Sequence, residues 1–274
     1  MTHRPFPAPT RPWALQMRWL ELCFMHWAAD TDALAARLPA GMELDTWEGR
    51  AYLGVVPFRM AGVRPRFTVD VPGLSAFPEL NLRTYVRVNG VPGVWFFSLD
   101  ASQPTAVRLA RAAFHLPYMD ARMWTARRGE VVEYASFRTH TGAAPASFAA
   151  AYRPVGQVLR AAPGSLEDWL TARYVLYSAD RHGRIFRGDI DHAPWPLRRA
   201  EAEIRVNTMA EQIGVPLEGE PHLLYSERLD VRAWLIERVC HTQNGTSQIS
   251  SSVTSSTTPA EISPMAARDL SREP

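Results

Sequence analysis

The chain reads as an α+β fold: a large, curved, mostly antiparallel sheet, able to close on itself, with a few short helices. Three observations predict it. Apolar or alternating runs of strand length recur along much of the 274 residues, punctuated by Gly, Pro, Asn and Asp. One pair of runs, 80–88 and 94–100, is joined through Asn89-Gly90, the strongest short-range hairpin signal. Helical periodicity is confined to short, capped segments.

Taken in order, residues 1–13 are an extended, proline-rich lead-in. Residues 14–27, rich in Trp, Leu, Phe and Met, form a buried strand ending at His26-Trp27. Asp30 can cap a short helix that places Leu34 and Leu38 on one side and closes at Pro39-Ala40-Gly41. Ala51 to Phe58 is a second strand, and Gly62 to Pro78 a loop long enough to suit a lid or a binding role. After the hairpin, Ser102 caps a helix with Pro104 in its first turn. Ala106, Leu109, Ala110, Ala113 and Phe114 form its apolar stripe, and Pro117 stops it. Further strands are predicted at 130–140, 173–180, 184–190, 199–207 and 223–238. Ser165 with Asp168 opens a helix through Ala172, and Asp180-Arg181-His182-Gly183 makes a hairpin turn. One domain over 14–239 is expected. Residues 240–274 hold 13 Ser or Thr and no Phe, Trp or Tyr, a composition that predicts a disordered tail.

Composition excludes some chemistry. All 30 basic side chains other than His are arginine, so no side-chain amine exists to form a Schiff base or hold pyridoxal phosphate. A net charge of +2 does not suggest a nucleic-acid surface. Cys23 and Cys240 are too few for a disulfide framework or a thiolate metal cage. No apolar run approaches the roughly 20 residues of a spanning helix, and no secretory h-region is recognisable. A cytoplasmic location without membrane contact is expected, with self-association left open. Walker A, dinucleotide-binding and His-Glu-x-x-His motifs are absent, and no histidines stand at metal-ligand spacing. Gly73-Leu74-Ser75-Ala76-Phe77 begins like a nucleophile elbow, but Phe77 replaces its closing glycine. No cofactor and no metal are predicted.

The informative stretch is 79–118. If Glu79 to Val86 is extended, Glu79, Asn81, Arg83 and Tyr85 share one face and Leu80, Leu82, Thr84 and Val86 the other. The polar row could line a ligand cavity or be the wet face of an ordinary sheet. Glu79, if desolvated, is a candidate general acid or base; the structural alternative pairs it with Arg83 or Arg87. Arg83 offers a planar fork for a carboxylate or enolate, with a solvated sheet arginine as the alternative. His115 fits a helix end, His192 a structural hydrogen bond before Pro194-Trp195-Pro196, and His26 a satisfied core position. Asn81, Tyr85, His115 and His192 complete the candidate ligand contacts.

Several blocks, among them Phe24-Met25-His26-Trp27, Glu79 to Val86, Gly93 to Asp100, Leu116-Pro117-Tyr118, Arg173-Tyr174 and His192 to Leu197, resemble the YqjF-like family, a domain of unknown function. The resemblance covers roughly residues 14–239. It implies a fold related to acetoacetate decarboxylase, a cone-like β-barrel around a small-molecule cavity. In that enzyme a proline precedes the two active-site lysines; here Pro117 is followed by Tyr118 and Met119, so lysine-dependent decarboxylation is not available. The resemblance also aligns Glu79 with the glutamate of the decarboxylase cavity, and puts Tyr118 where an oxyanion stabiliser or proton donor would act. Three roles follow. The first is a binding protein for a small organic acid or carbonyl compound. The second is a cofactor-independent acid–base enzyme using Glu79 and Tyr118, and the third a structural or interaction role.

Overall fold

Long runs of β-branched and aromatic residues make strands the dominant element of this chain. The structure, a computed structural model, describes residues 3–71 and 75–240. The tail read from composition (apart from Cys240) and Gly73-Leu74 of the elbow-like motif lie outside the described residues. In chain order the elements are β1 (Leu15–Ala29), α1 (Thr31–Ala35), β2 (Glu43–Leu44), β3 (Ala51–Pro65), β4 (Phe77–Val88) and β5 (Val91–Ala101). Then come α2 (Pro104–Phe114), β6 (Tyr118–Arg128), β7 (Val131–Arg138), β8 (Ser147–Leu159), α3 (Leu166–Thr171) and β9 (Val175–Ala179). The last are β10 (Ile185–His192), β11 (Leu197–Asn207), a 3-10 turn (Met209–Ile213), β12 (His222–Ala233) and β13 (Glu237–Arg238). No helix among the described residues is long and apolar enough to cross a membrane.

Several local expectations hold for the reasons given. Asp30 accepts from the Ala33 backbone N–H at 2.7 Å, and Ser165 caps α3 through Asp168 N. Asn89 and Gly90 both take left-handed φ, 50° and 75°, as a tight hairpin turn requires. Four details differ. The cap of α2 is Gln103, whose side chain accepts from Thr105 N, not Ser102. β3 runs on to Pro65, which shortens the expected 62–78 loop. β6 and β8 were not expected: the first alternates weakly, and the second is Ala-rich and contains Pro154 and Gly156. The run at 223–238 splits at Trp234-Leu235-Ile236 into β12 and β13.

The described strands form one sheet that closes on itself twice. Pairing of β4 with β5 completes a ring through β6, β7, β8, β11, β12, β1 and β3. Pairing of β10 with β12 completes a second ring through β1, β3, β4, β5 and β9. Strands β12, β1, β3, β4 and β5 therefore belong to both rings. Both faces of β3 and β4 are largely buried, while the second half of β12 alternates buried Leu229, Val231 and Ala233 with exposed Arg228, Asp230 and Arg232. Alternate side chains of β4 feed two different clusters. Leu80 and Leu82 pack with Cys23, Met25, Val55, Tyr134, Phe148 and Tyr152, while Tyr85 packs with Phe24, Val56, Phe58 and Trp195. The polar row of β4 is thus not a wet face: Glu79, Asn81, Arg83 and Tyr85 are all buried.

The exceptions to antiparallel pairing place the site. β5 pairs in parallel with β6, through the α2 crossover, and with β9. Because Asn81 pairs with Leu99 and Leu99 with Tyr118, the start of β6 lies two strands across from the Glu79–Asn81 segment.

Candidate functional site

The second ring encloses a chamber of about 550 Å3. Its wall is mostly apolar, built by Trp19, Phe58, Met60, Phe96 and Trp195 among others. Glu79, Asn81, Arg83, Tyr118, Arg173 and His192 supply its principal buried polar groups.

Glu79 is 1% exposed and has no cationic partner among the described residues. The Tyr118 hydroxyl donates to its Oε2 at 3.0 Å, and Tyr134 holds its backbone carbonyl at 2.7 Å. Burial pushes the Glu79 carboxyl up to about 8; hydrogen bonds from Tyr118 and Asn81 pull the other way without overcoming it. The group is therefore largely protonated at neutral pH. Burial, followed by the neighbouring Glu79, drives the Tyr118 phenol well above its ordinary range. The alternative in which Glu79 pairs with an arginine does not occur. Arg87 bonds Asp45 at 2.8 Å, and Arg83 turns to other partners.

Arg83 donates to the Tyr85 hydroxyl at 3.3 Å and to the Leu170 carbonyl at 3.4 Å, and lies 5.2 Å from the Phe24 ring centroid. Among the described residues no carboxylate pairs with it, and its Nε has no hydrogen-bond partner. Tyr85 is not part of the chamber wall. It is locked between His26 Nε2 at 2.6 Å and the Leu170 carbonyl at 2.9 Å, so it positions Arg83 from behind. His26 is a buried core histidine, kept neutral first by burial and then by Arg83.

His192 does face the chamber. Its Nδ1–H donates to the Ala193 carbonyl at 2.8 Å, which leaves Nε2 as an unpartnered acceptor, and burial lowers the ring to about 4. His115, by contrast, ends α2 in the left-handed region and packs on Phe186 at 4.7 Å, lining an outer cleft rather than the chamber. Arg173 was not singled out as a site residue from the sequence. Its Nη1 bonds Asp45 at 2.6 Å, its Nε donates to the Trp169 carbonyl and its guanidinium packs over Trp169 and Tyr85. Its Nη2 has no hydrogen-bond partner, and the residue lines the chamber. The Arg173-Tyr174 block was its only signal, since burial of a lone arginine depends on the remote Asp45. Among the described residues, no group of three or more His, Cys, Asp or Glu is arranged to hold a metal ion.

Known proteins resemble this chain over most of its length. A profile of the DUF2071 family, described as "Uncharacterized conserved protein", matches residues 16–230. "Uncharacterized protein YqjF" of Bacillus subtilis (strain 168) is 42% identical over 231 residues, covering 84% of this chain and 94% of that protein. Among solved structures, the enduracididine biosynthesis enzyme MppR complexed with pyruvate superposes with a TM-score of 0.59 at 12% identity, over 86% of this chain and 94% of that one. Acetoacetate decarboxylase from Legionella pneumophila gives a TM-score of 0.54 at 14% identity, over 86% of this chain and 93% of that one. At such identities the likeness is one of fold.

Proposed function

This chain belongs to the DUF2071 family of uncharacterized conserved proteins, and we propose that it binds a small monocarboxylic or carbonyl-containing acid in the chamber, anchored by Arg83. One observation carries this reading. Five buried polar atoms without partners, Trp19 Nε1, Asn81 Oδ1, Arg83 Nε, Arg173 Nη2 and His192 Nε2, belong to residues that line the same chamber. A buried group left unsatisfied costs about 1–3 kcal/mol, so a wall that gathers several is organised for a ligand that satisfies them. The charge balance supports one negative charge on that ligand. Arg173 is offset by Asp45, while Arg83 has no such counter-ion among the described residues. The pyruvate held by MppR, of similar fold, is an acid of this class.

Glu79 favours a second reading, in which the bound compound also reacts. A protonated carboxyl in an apolar chamber is a proton donor, and once it has given up its proton the Tyr118 hydroxyl already bonds the resulting carboxylate. The chemistry would be proton transfer to a carbonyl or enolate oxygen, or to the carbon beside it. Tyr118 acts on this reading by steadying Glu79.

The test is a thermal-shift panel of keto-, hydroxy- and dicarbonyl acids on the wild type and Arg83→Ala. An acid that raises the melting temperature of the wild type alone supports the anchor. No shift across the panel would sink the binding reading. Incubating a stabilising keto acid in D2O with wild type and Glu79→Gln tests the second. Solvent exchange at the carbon next to the carbonyl should require Glu79. The ionised fraction of Glu79 removes the carbon-bound proton, and the resulting carboxyl, after exchange with D2O, returns a deuteron.

A further inference from the structure

The chamber is polarised from floor to rim. Its charged and amide side chains Glu79, Asn81, Arg83, Arg173 and His192 are more than nine-tenths buried, while Arg64, the other charged residue of the wall, is about one-third exposed and paired with Asp70. Several of its exposed wall side chains are apolar, Val69 at 79%, Leu109 at 67% and Val71 half-exposed, beside the exposed Thr68 and Thr105. Val69 and Val71 lie on the segment after β3, and Leu109 on α2, so two separate elements present aliphatic groups at the same opening. The charged residues beside them are tied to partners: Asp70, between the two valines, pairs with Arg18 and Arg64, and Arg108, beside Leu109, pairs with Asp120. A solvated mouth for a small polar acid alone would not call for this arrangement.

We infer that the ligand is an amphiphilic monocarboxylate that enters head first, its acid group at Arg83 and its hydrocarbon tail running out along the apolar wall to Val69 and Leu109. This rests on the anion-binding reading and adds the chemical class of the molecule. Arg83 provides one uncompensated positive charge on the floor. The wall between floor and rim offers Trp19, Phe58, Met60 and Phe114, groups against which a hydrocarbon tail packs.

Titration calorimetry with straight-chain saturated monocarboxylates, acetate to decanoate, tests it, with octanol as the uncharged control. Each added methylene should tighten binding about three- to fourfold until the tail passes the rim. The double variant Val69→Ser, Leu109→Gln, changed only at exposed positions, should weaken decanoate at least tenfold and leave butanoate unaltered. Equal affinities along the series, or a double variant that binds decanoate like the wild type, would overturn the tail assignment while leaving the anion anchor standing. Octanol binding as tightly as octanoate would instead overturn the carboxylate anchor. Failure of every acid to bind would overturn both.

Discussion

The sharpest consequence of the site concerns Glu79 and pH. Its carboxyl ionises near 4.5 ordinarily and near 8 in the folded protein. Between these values the folded state holds a proton that the unfolded state has released, so stability falls as pH rises. Over the whole interval the loss comes to about 5 kcal/mol, at about 1.36 kcal/mol per pH unit. That is a large share of the roughly 5–15 kcal/mol that holds a typical domain together. The buried histidines act with the opposite sign. His192 titrates near 4 in the fold against 6.5 outside it, so its contribution is lost as pH falls through that range. From pH 6.5 to 8 that offset is gone, and Glu79 alone should remove about 2 kcal/mol. Glu79→Gln keeps the shape and an acceptor for Tyr118 but cannot ionise. Urea unfolding at closely spaced pH values from 6.5 to 8.5 should show the wild type losing stability while the variant stays flat. Parallel curves for the two proteins would refute a protonated, unpaired Glu79 and, with it, the proposed proton donor.

Two further outcomes are expected. Tyr118→Phe removes a hydrogen bond that favours ionised Glu79, so the midpoint of the same stability loss should move above pH 8; a downward move would show that Tyr118 supports the neutral acid instead. In the first ring, Arg138 and Asp100 form a buried ion pair at 2.7 Å, and Arg138→Ala should cost about 3–5 kcal/mol in chemical denaturation by stranding the Asp100 charge; a loss below about 1 kcal/mol would mean that water or another group compensates it.

Much of the local architecture was legible in the chain because its causes are local. Asp30, Ser165 and Asn89-Gly90 act within three or four residues, and each sits in the turn or cap its side chain suits. Strands with strong alternation were visible for the same reason. β6 and β8 were not, since Ala-rich or polar strands draw their stability from neighbours in the sheet rather than from their own pattern. Gln103 displaced Ser102 as a cap by a single residue, a distinction that only backbone geometry makes.

The polar row Glu79, Asn81, Arg83, Tyr85 followed from the two-residue period of a strand, and the absence of lysine ruled out a side-chain Schiff base without any structure. Whether that row meets water, an arginine or a cavity did not follow. It turns on long-range pairings, β1 with β12, β5 with β9 and β10 with β12, which join segments remote in the chain and, with the local β4–β5 hairpin, bury both faces of β4. Register across β5 then brings Tyr118 to Glu79, while Asp45 takes Arg87 and Arg173 and leaves Arg83 without a counter-ion among the described residues. Which face a side chain takes is a property of the strand. What it meets there, and hence its charge, is a property of the closed sheet.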